Sequence, residues 1–246
     1  MLPLDGRTAL VTGGSRGIGA AIALRLAQDG ADVALTYVSS DRRAADVVGR
    51  IEALGRKAVA IQADSEDPAA VSAAVTTTAD TFGGLDVLVN NAGIVARVPI
   101  GEMTVADVDR TFAINVRAVL VAIQAAVRHM PDGGRVITIG SNVADRVPWP
   151  HGALYAAGKS ALTGMTRALA RDLGPRGITA VVVQPGPTDT DANPADGPRA
   201  KDAVTRTPLG RYADPVDVAN TVAFLAGPGG RHITGTTITV DGGVNA

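Results

Sequence analysis

The chain contains no cysteine. Disulfide stapling, thiol catalysis and cysteine-ligated metals are therefore excluded. Aromatic residues make up only 3%, with one tryptophan and three tyrosines, so a core has to be assembled from Ala, Val, Leu and Ile. Lysine is scarce, with three against 20 arginines, and glutamate is equally scarce beside aspartate. That skew reads as compositional bias and not as function. Among the few histidines, His129 and His232 stand far apart with no carboxylates at ligand spacing, which argues against a metal site. Net charge is close to zero, at −1, so nothing calls for a nucleic-acid polymer or an anionic membrane as partner. No apolar run reaches the length of a membrane span. The opening MLPLDGRTALVTGG has no charged segment leading into an apolar one. The expectation is a soluble, cytoplasmic chain.

What is present points to one large α/β domain. The 246 residues are 46% hydrophobic and include 29 glycines, enough for a buried core and many tight turns. Strand-length apolar runs alternate with helical patterns. TALVTGG, ADVALTY, KAVAIQAD, LDVLVNNAG, GRVITIGS, ITAVVVQPG and TTITVDGG read as seven strands. Helices are predicted over 18–28, 41–54, 68–82, 104–130, 154–173 and 215–226. Thr104 and Asp107 form a capping-box-like pair at the start of the longest of them. The strands are continuous β-branched runs and do not alternate, which marks them as buried on both faces. The pattern predicts a Rossmann-like, doubly wound, seven-stranded parallel sheet with helices on both faces. Residues 185–210 read as one long irregular stretch, with a substrate lid at about 188–208. The stretch follows a strand C-terminus, the edge where open α/β sheets bind ligands.

TGGSRGIG, Thr12 to Gly19, falls between the first strand and the first helix. Such a turn must bring backbone N–H groups and a helix N-terminus against a pyrophosphate, and a Cβ would obstruct that approach. Gly13, Ser15, Arg16, Gly17, Ile18 and Gly19 are the candidate cradle. An NAD site usually ends its second strand with a carboxylate for the ribose 2′-OH. Here Tyr37 stands at that point, followed by Ser39, Ser40, Arg42 and Arg43, with Arg16 nearby. Hydroxyls and guanidinium groups suit a 2′-phosphate, so NADP(H) is expected over NAD.

LYAAGKSAL places Tyr155 four residues before Lys159, on one face of a helix. A free phenol has a pKa near 10, and a fixed ammonium beside it favours the phenolate. Ser141 ends the fifth strand, at the edge that faces the crevice. Asn115 lies inside the predicted helix 104–130. Asn disfavours helix interiors, so this position invites a function such as holding a water or loosening the helix.

Together these motifs resemble the short-chain dehydrogenase/reductase family over essentially the full length. TGGSRGIG, NNAG, Asn115, Ser141, YAAGK, QPGPTDT and VDGG stand in family order. The resemblance implies a catalytic set of Asn115, Ser141, Tyr155 and Lys159. Tyr155 would protonate the alkoxide formed when a carbonyl accepts hydride from the nicotinamide. Ser141 would orient that carbonyl, Lys159 would hold the ribose and lower the Tyr155 pKa, and Asn115 would hold a relay water. Asp64 and Ser65 would border the adenine, and Asn91, Ala92 and Gly93 would support the cofactor. Pro185, Gly186, Thr188 and Thr190 would flank the nicotinamide. A homotetramer acting on a small carbonyl or alcohol is implied as well.

Two features depart from the oxoacyl-carrier-protein reductases of this family. The Ser141-to-Tyr155 interval is about one residue longer, which puts Trp149 and His151 near the substrate mouth, and Gly158 stands where Ser or Ala is commoner. The stretches IGSNVADRVP and VVQPGPTDTDANPADGP are similar to a bacterial subgroup in which one relative is described as a cyclic-di-GMP-binding mediator of biofilm dispersal. That leaves nucleotide sensing as the alternative to catalysis. The RxxD pairs Arg43/Asp46, Arg199/Asp202 and Arg211/Asp214 do not decide between them, since chance alone supplies about two.

Overall fold

The computed structural model of the protein describes residues 2–246. Seven strands form one sheet: β1 (Thr8–Val11), β2 (Asp32–Tyr37), β3 (Ala58–Gln62), β4 (Val87–Asn90), β5 (Arg135–Ile139), β6 (Thr179–Pro185) and β7 (Thr236–Val240). The spatial order is β3-β2-β1-β4-β5-β6-β7, with every pairing parallel. The order reverses between β1 and β4. That switch point opens a crevice beyond the strand C-termini, where ligands of doubly wound sheets sit.

The register explains why the strands read as unbroken apolar runs. Ala34, Leu10, Leu88, Val136 and Ala180 lie side by side across five strands. They face the layer built from α3 (Pro68–Phe82), α5 (Ala118–Ala126) and α6 (Ala153–Leu173). One residue further along, Leu35, Val11, Val89, Ile137 and Val181 form the next row. They face α1 (Gly17–Gln28), α2 (Asp41–Glu52) and α8 (Pro215–Ala226). Successive side chains point to opposite faces, so both sets must be apolar. Each fully buried Leu or Ile contributes about 1.5–3 kcal/mol of transfer free energy.

Helix starts follow local chemistry. Asp67 accepts from the Ala69 N–H, with Pro68 in the first turn of α3. Asp214 and Asp217 form a capping box on α8, and Thr104 and Asp107 form one on α4 (Val105–Phe112). Two sequence expectations need correction. The helix predicted over 104–130 is not continuous: a π-helical turn, Ala113–Arg117, separates α4 from α5 around Asn115. Nor is the stretch 185–210 irregular throughout. It contains α7 (Ala200–Thr205), and bridges from Thr188 to Ala213 and from Thr190 to Asn193 tie down its first part. No helix among the described residues is long and apolar enough to cross a membrane.

Candidate active site

Parallel strands deliver their C-termini to one edge, and the candidate residues gather there. The glycine turn leaves β1 with Gly13 at φ +64° and Gly17 at φ +54°, left-handed values that favour glycine. A Cβ on Gly19 would lie 2.4 Å from the Gly13 carbonyl oxygen and 2.5 Å from Asn91 Nδ2. The close packing has a cause. Asn91 Nδ2 donates to the carbonyls of Thr12 and Gly13, at 2.9 and 3.1 Å. The Thr12 hydroxyl accepts from the backbone N–H groups of Asn91 and Ala92. The Gly13 N–H donates to the Thr36 hydroxyl at 2.9 Å. Thr36 carries no sequence signal because a strand threonine reads simply as a β-former, and Thr12 stands in the turn motif with no role assigned to its hydroxyl. Ser15 is half-buried in the turn, and Ile18 packs its side chain on the core below.

A cavity of about 890 Å³ runs from Ser15 and Arg16 past Arg42 and Arg43 along α1, α2 and α8. Tyr37 borders a smaller pocket with Asp41 and Arg42. Ser39 is exposed, and Ser40 precedes α2 without a side-chain capping bond. At the end of β3, Asp64 accepts from the Glu66 N–H at 2.9 Å, and Ser65 is half-buried. An unforeseen residue enters this end of the site from the lid. The Asp191 carboxylate pairs with Arg43 and lies 4.0 Å from Arg16. A hydrogen bond from Arg43 and its charge hold the Asp191 carboxyl below the usual aspartate range. Beside it, the Thr190 methyl lies 3.3 Å from where a Gly17 Cβ would be.

The other end of the crevice holds the candidate catalytic set. The π turn presents the Asn115 side chain to Ile94, with two reciprocal bonds of 2.9 Å. A Cβ on Gly93 would stand 3.1 Å from Asn115 Oδ1 and 3.5 Å from Lys159 Nζ, so these two groups flank the same glycine. Lys159 is buried and donates to the Ile139 carbonyl at 2.8 Å. Burial lowers its pKa to about 8. Its Nζ lies 6.0 Å from the centroid of the Tyr155 ring. Burial raises the Tyr155 pKa above its ordinary value, and the Ser141 hydroxyl and the charge of Arg97 oppose that rise. The resemblance implies that Lys159 tunes the phenol. The groups that oppose the rise are Ser141 and Arg97, and Lys159 directs its ammonium to the Ile139 carbonyl.

Pro185 and Gly186 close β6, where a Gly186 Cβ would strike Asp241 at 2.5 Å. Thr188 is buried and donates to the Gly186 carbonyl at 3.0 Å. In the 141–155 loop, Trp149 lies under the guanidinium of Arg97, 4.5 Å from its centroid. His151 takes φ +65°, a strained value for a residue with a Cβ. Arg97 carries no sequence signal, since only the fold brings it to Trp149.

Known proteins match this arrangement closely. A family model described as enoyl-(acyl carrier protein) reductase matches residues 13–245. The chain is 48% identical to the cyclic-di-GMP-binding biofilm dispersal mediator protein of Escherichia coli K12, over 98% of each chain. It is 40% identical to versicolorin reductase stcU of Emericella nidulans, over 98% of this chain and 96% of that one. A crystal structure of a short chain dehydrogenase from Burkholderia cenocepacia J2315 in complex with NADP is 59% identical, covers 99% of this chain and 100% of its own, and superposes with a TM-score of 0.98. With motifs, sheet order and full-length likeness in agreement, the chain belongs to the short-chain dehydrogenase/reductase family.

Proposed function

We propose that the protein is an NADP(H)-dependent oxidoreductase that reduces a ketone or 3-oxoacyl thioester to a secondary alcohol. What carries this reading is the gathering of Ser141, Tyr155, Lys159 and Asn115 at the switch-point crevice, beside a glycine turn whose backbone leaves no room for side chains. The turn fits a dinucleotide. A Cβ at Gly13 would lie 3.1 Å from the Ala92 Cα and one at Gly19 would overlap the Gly13 carbonyl, so the surface is bare backbone. Arg16 and Arg43, with Ser39 and Ser40 nearby, suit a 2′-phosphate better than a free ribose hydroxyl. The complex with NADP described for the Burkholderia relative supports the same choice.

When bound, the cofactor supplies the hydride that adds to the carbonyl carbon. The chain's own residues supply the rest. Tyr155 donates its phenolic proton to the carbonyl oxygen, and its raised pKa keeps that proton in place through neutral pH. The Ser141 hydroxyl holds the same oxygen and lowers the cost of the phenolate left behind. Lys159, still mostly protonated at neutral pH, offers its charge and N–H donors to a ribose hydroxyl and to a proton relay. Both polar side-chain atoms of Asn115 are engaged by Ile94, so a relay water would bond the backbone of the π turn. A homotetramer is part of the proposal, supported by exposed Phe112 and Leu120 on α4 and α5.

The test is loss of nicotinamide absorbance with NADPH and a carbonyl panel that includes an acetoacetyl thioester. Tyr155→Phe should lower the rate by about 10²–10⁴-fold while leaving NADPH affinity nearly unchanged. The second reading, a cyclic-di-GMP-binding sensor, rests on the 48% identity to the E. coli protein. It prevails if no carbonyl is turned over and cyclic-di-GMP binds tightly by calorimetry.

A further inference from the structure

The reductase reading leaves open what the carbonyl compound looks like beyond its reacting carbon. The mouth of the crevice bears on that question. Arg97 lies four residues past Gly93, on the loop that leaves β4, and its guanidinium stacks on Trp149 at 4.5 Å. Trp149 belongs to the loop between Ser141 and Tyr155. Its Nε1 stands 3.1 Å from where a Gly152 Cβ would be, and Gly152 immediately precedes α6, three residues before Tyr155. The stack therefore borders the side of the crevice where the substrate must enter. The positive charge of Arg199, the residue before α7, acts on Arg97.

Two observations say that the stack lacks a partner. The charges that act on Arg97 are those of Arg199, which repels it, and of Tyr155; no carboxylate acts on it among the described residues. Like-charged guanidinium groups with no carboxylate partner raise each other's energy, and a bound anion reverses the sign. The Nε1–H of Trp149 is buried beside Gly152 without an acceptor. The aromatic platform gives Arg97 a fixed support, and its planar fork suits a carboxylate or phosphate in bidentate contact.

We infer that Arg97, held on Trp149 at the mouth of the crevice, is the specificity-determining residue for an anionic carbonyl substrate. The substrate would carry a carboxylate or phosphate a few bonds from the reacting carbonyl. The inference rests on the reductase reading for its carbonyl, and on the mouth alone for its charge. The anionic group takes no part in the bond changes. The carbonyl carbon gains hydride, its oxygen gains the Tyr155 proton, and the anion stays where Arg97 holds it.

The chain's only tryptophan is Trp149, so its fluorescence reports on this stack directly. The full-length protein with NADP⁺ is titrated with 4-oxopentanoate and, separately, with its neutral methyl ester. The carboxylate should give a saturable change at about tenfold or more lower concentration than the ester, as expected for a charge-assisted contact. Arg97→Gln should erase that difference, and Arg97→Lys should restore part of it by returning the charge without the fork. The same ratio is then read in NADPH consumption. Equal binding of acid and ester by the wild type overturns the inference, as does an Arg97→Gln variant that keeps the preference. A phosphate-bearing ketone compared with its dephosphorylated form distinguishes the two anions. If the ester is reduced without any preference for the acid, the reductase reading stands and the anionic class falls. If the acid binds selectively and no carbonyl of the panel, these two included, is reduced, the anion site stands and the reductase reading falls.

Discussion

Lys159 shows how one residue ties stability to chemistry. Its ammonium is buried, and burial holds its pKa at about 8, against 10.5 for the free side chain. Between those values the unfolded chain binds the proton that the folded chain has released. Stability therefore rises with pH through that window, because the unfolded state binds more protons there. Below about pH 8 both states hold the proton and the penalty for burying the charge is present in full. Lys159→Met lacks this titration. The stability advantage of the variant should shrink by about 3 kcal/mol between pH 8 and 10.5, at 1.36 kcal/mol per unit of pKa difference. Urea unfolding at half-unit pH steps measures it. Parallel curves for the two proteins would contradict the buried charge. Under the proposed function, activity should respond in the opposite sense, since the charge that Lys159 would offer a ribose hydroxyl fades as pH passes about 8.

At the scale of elements, α6 and the lid each carry a testable consequence. Gly158 sits in the interior of α6, where glycine costs up to about 1 kcal/mol relative to alanine. A Cβ there would meet Asn115 Cβ at 3.5 Å and Thr111 Cγ2 at 3.8 Å, ordinary contact distances. Gly158→Ala should thus raise stability by about 0.5–1 kcal/mol, read as a higher midpoint in thermal unfolding. A fall in the midpoint would mean that the π turn cannot accept the methyl. The segment after β6 is tied to α2 through Asp191, which pairs with Arg43 and lies 4.0 Å from Arg16 of the glycine turn. Asp191→Asn frees both arginines for a 2′-phosphate. NADPH should then bind about two- to fivefold more tightly, the range of an exposed ion pair, while NADH binding stays level. Calorimetric titration with both cofactors decides this, and weaker NADPH binding in the variant would exclude the competition.

The molecule as a whole is a sheet covered by helices on both faces, with the candidate site at one edge. Outside that edge, α4 and α5 leave Val105, Phe112 and Leu120 exposed. Apolar groups of this size on consecutive helices are expected to meet a second copy of the chain. Leu120→Asp should shift the light-scattering mass below that of the wild type while far-UV circular dichroism is preserved. An unchanged mass would remove this face from the assembly.

The sequence by itself determined the seven strands, the order of motifs and the glycine turn. These follow from local rules: a strand buried on both faces must be apolar at every position, and a pyrophosphate turn must lack side chains. It also marked Asn115 as misplaced in a helix, and the π turn is the backbone's answer to that conflict. The tertiary structure alone decided which charges meet. Arg97 reaches Trp149, and Asp191 reaches Arg43, across separations with no periodicity to reveal them. Lys159 is directed to the Ile139 carbonyl because a buried ammonium must find an acceptor, and the nearest one belongs to β5. Hydrophobic period is a short-range property and can be read along the chain. Electrostatic pairing is a property of distances in space, and those exist only once the sheet has closed.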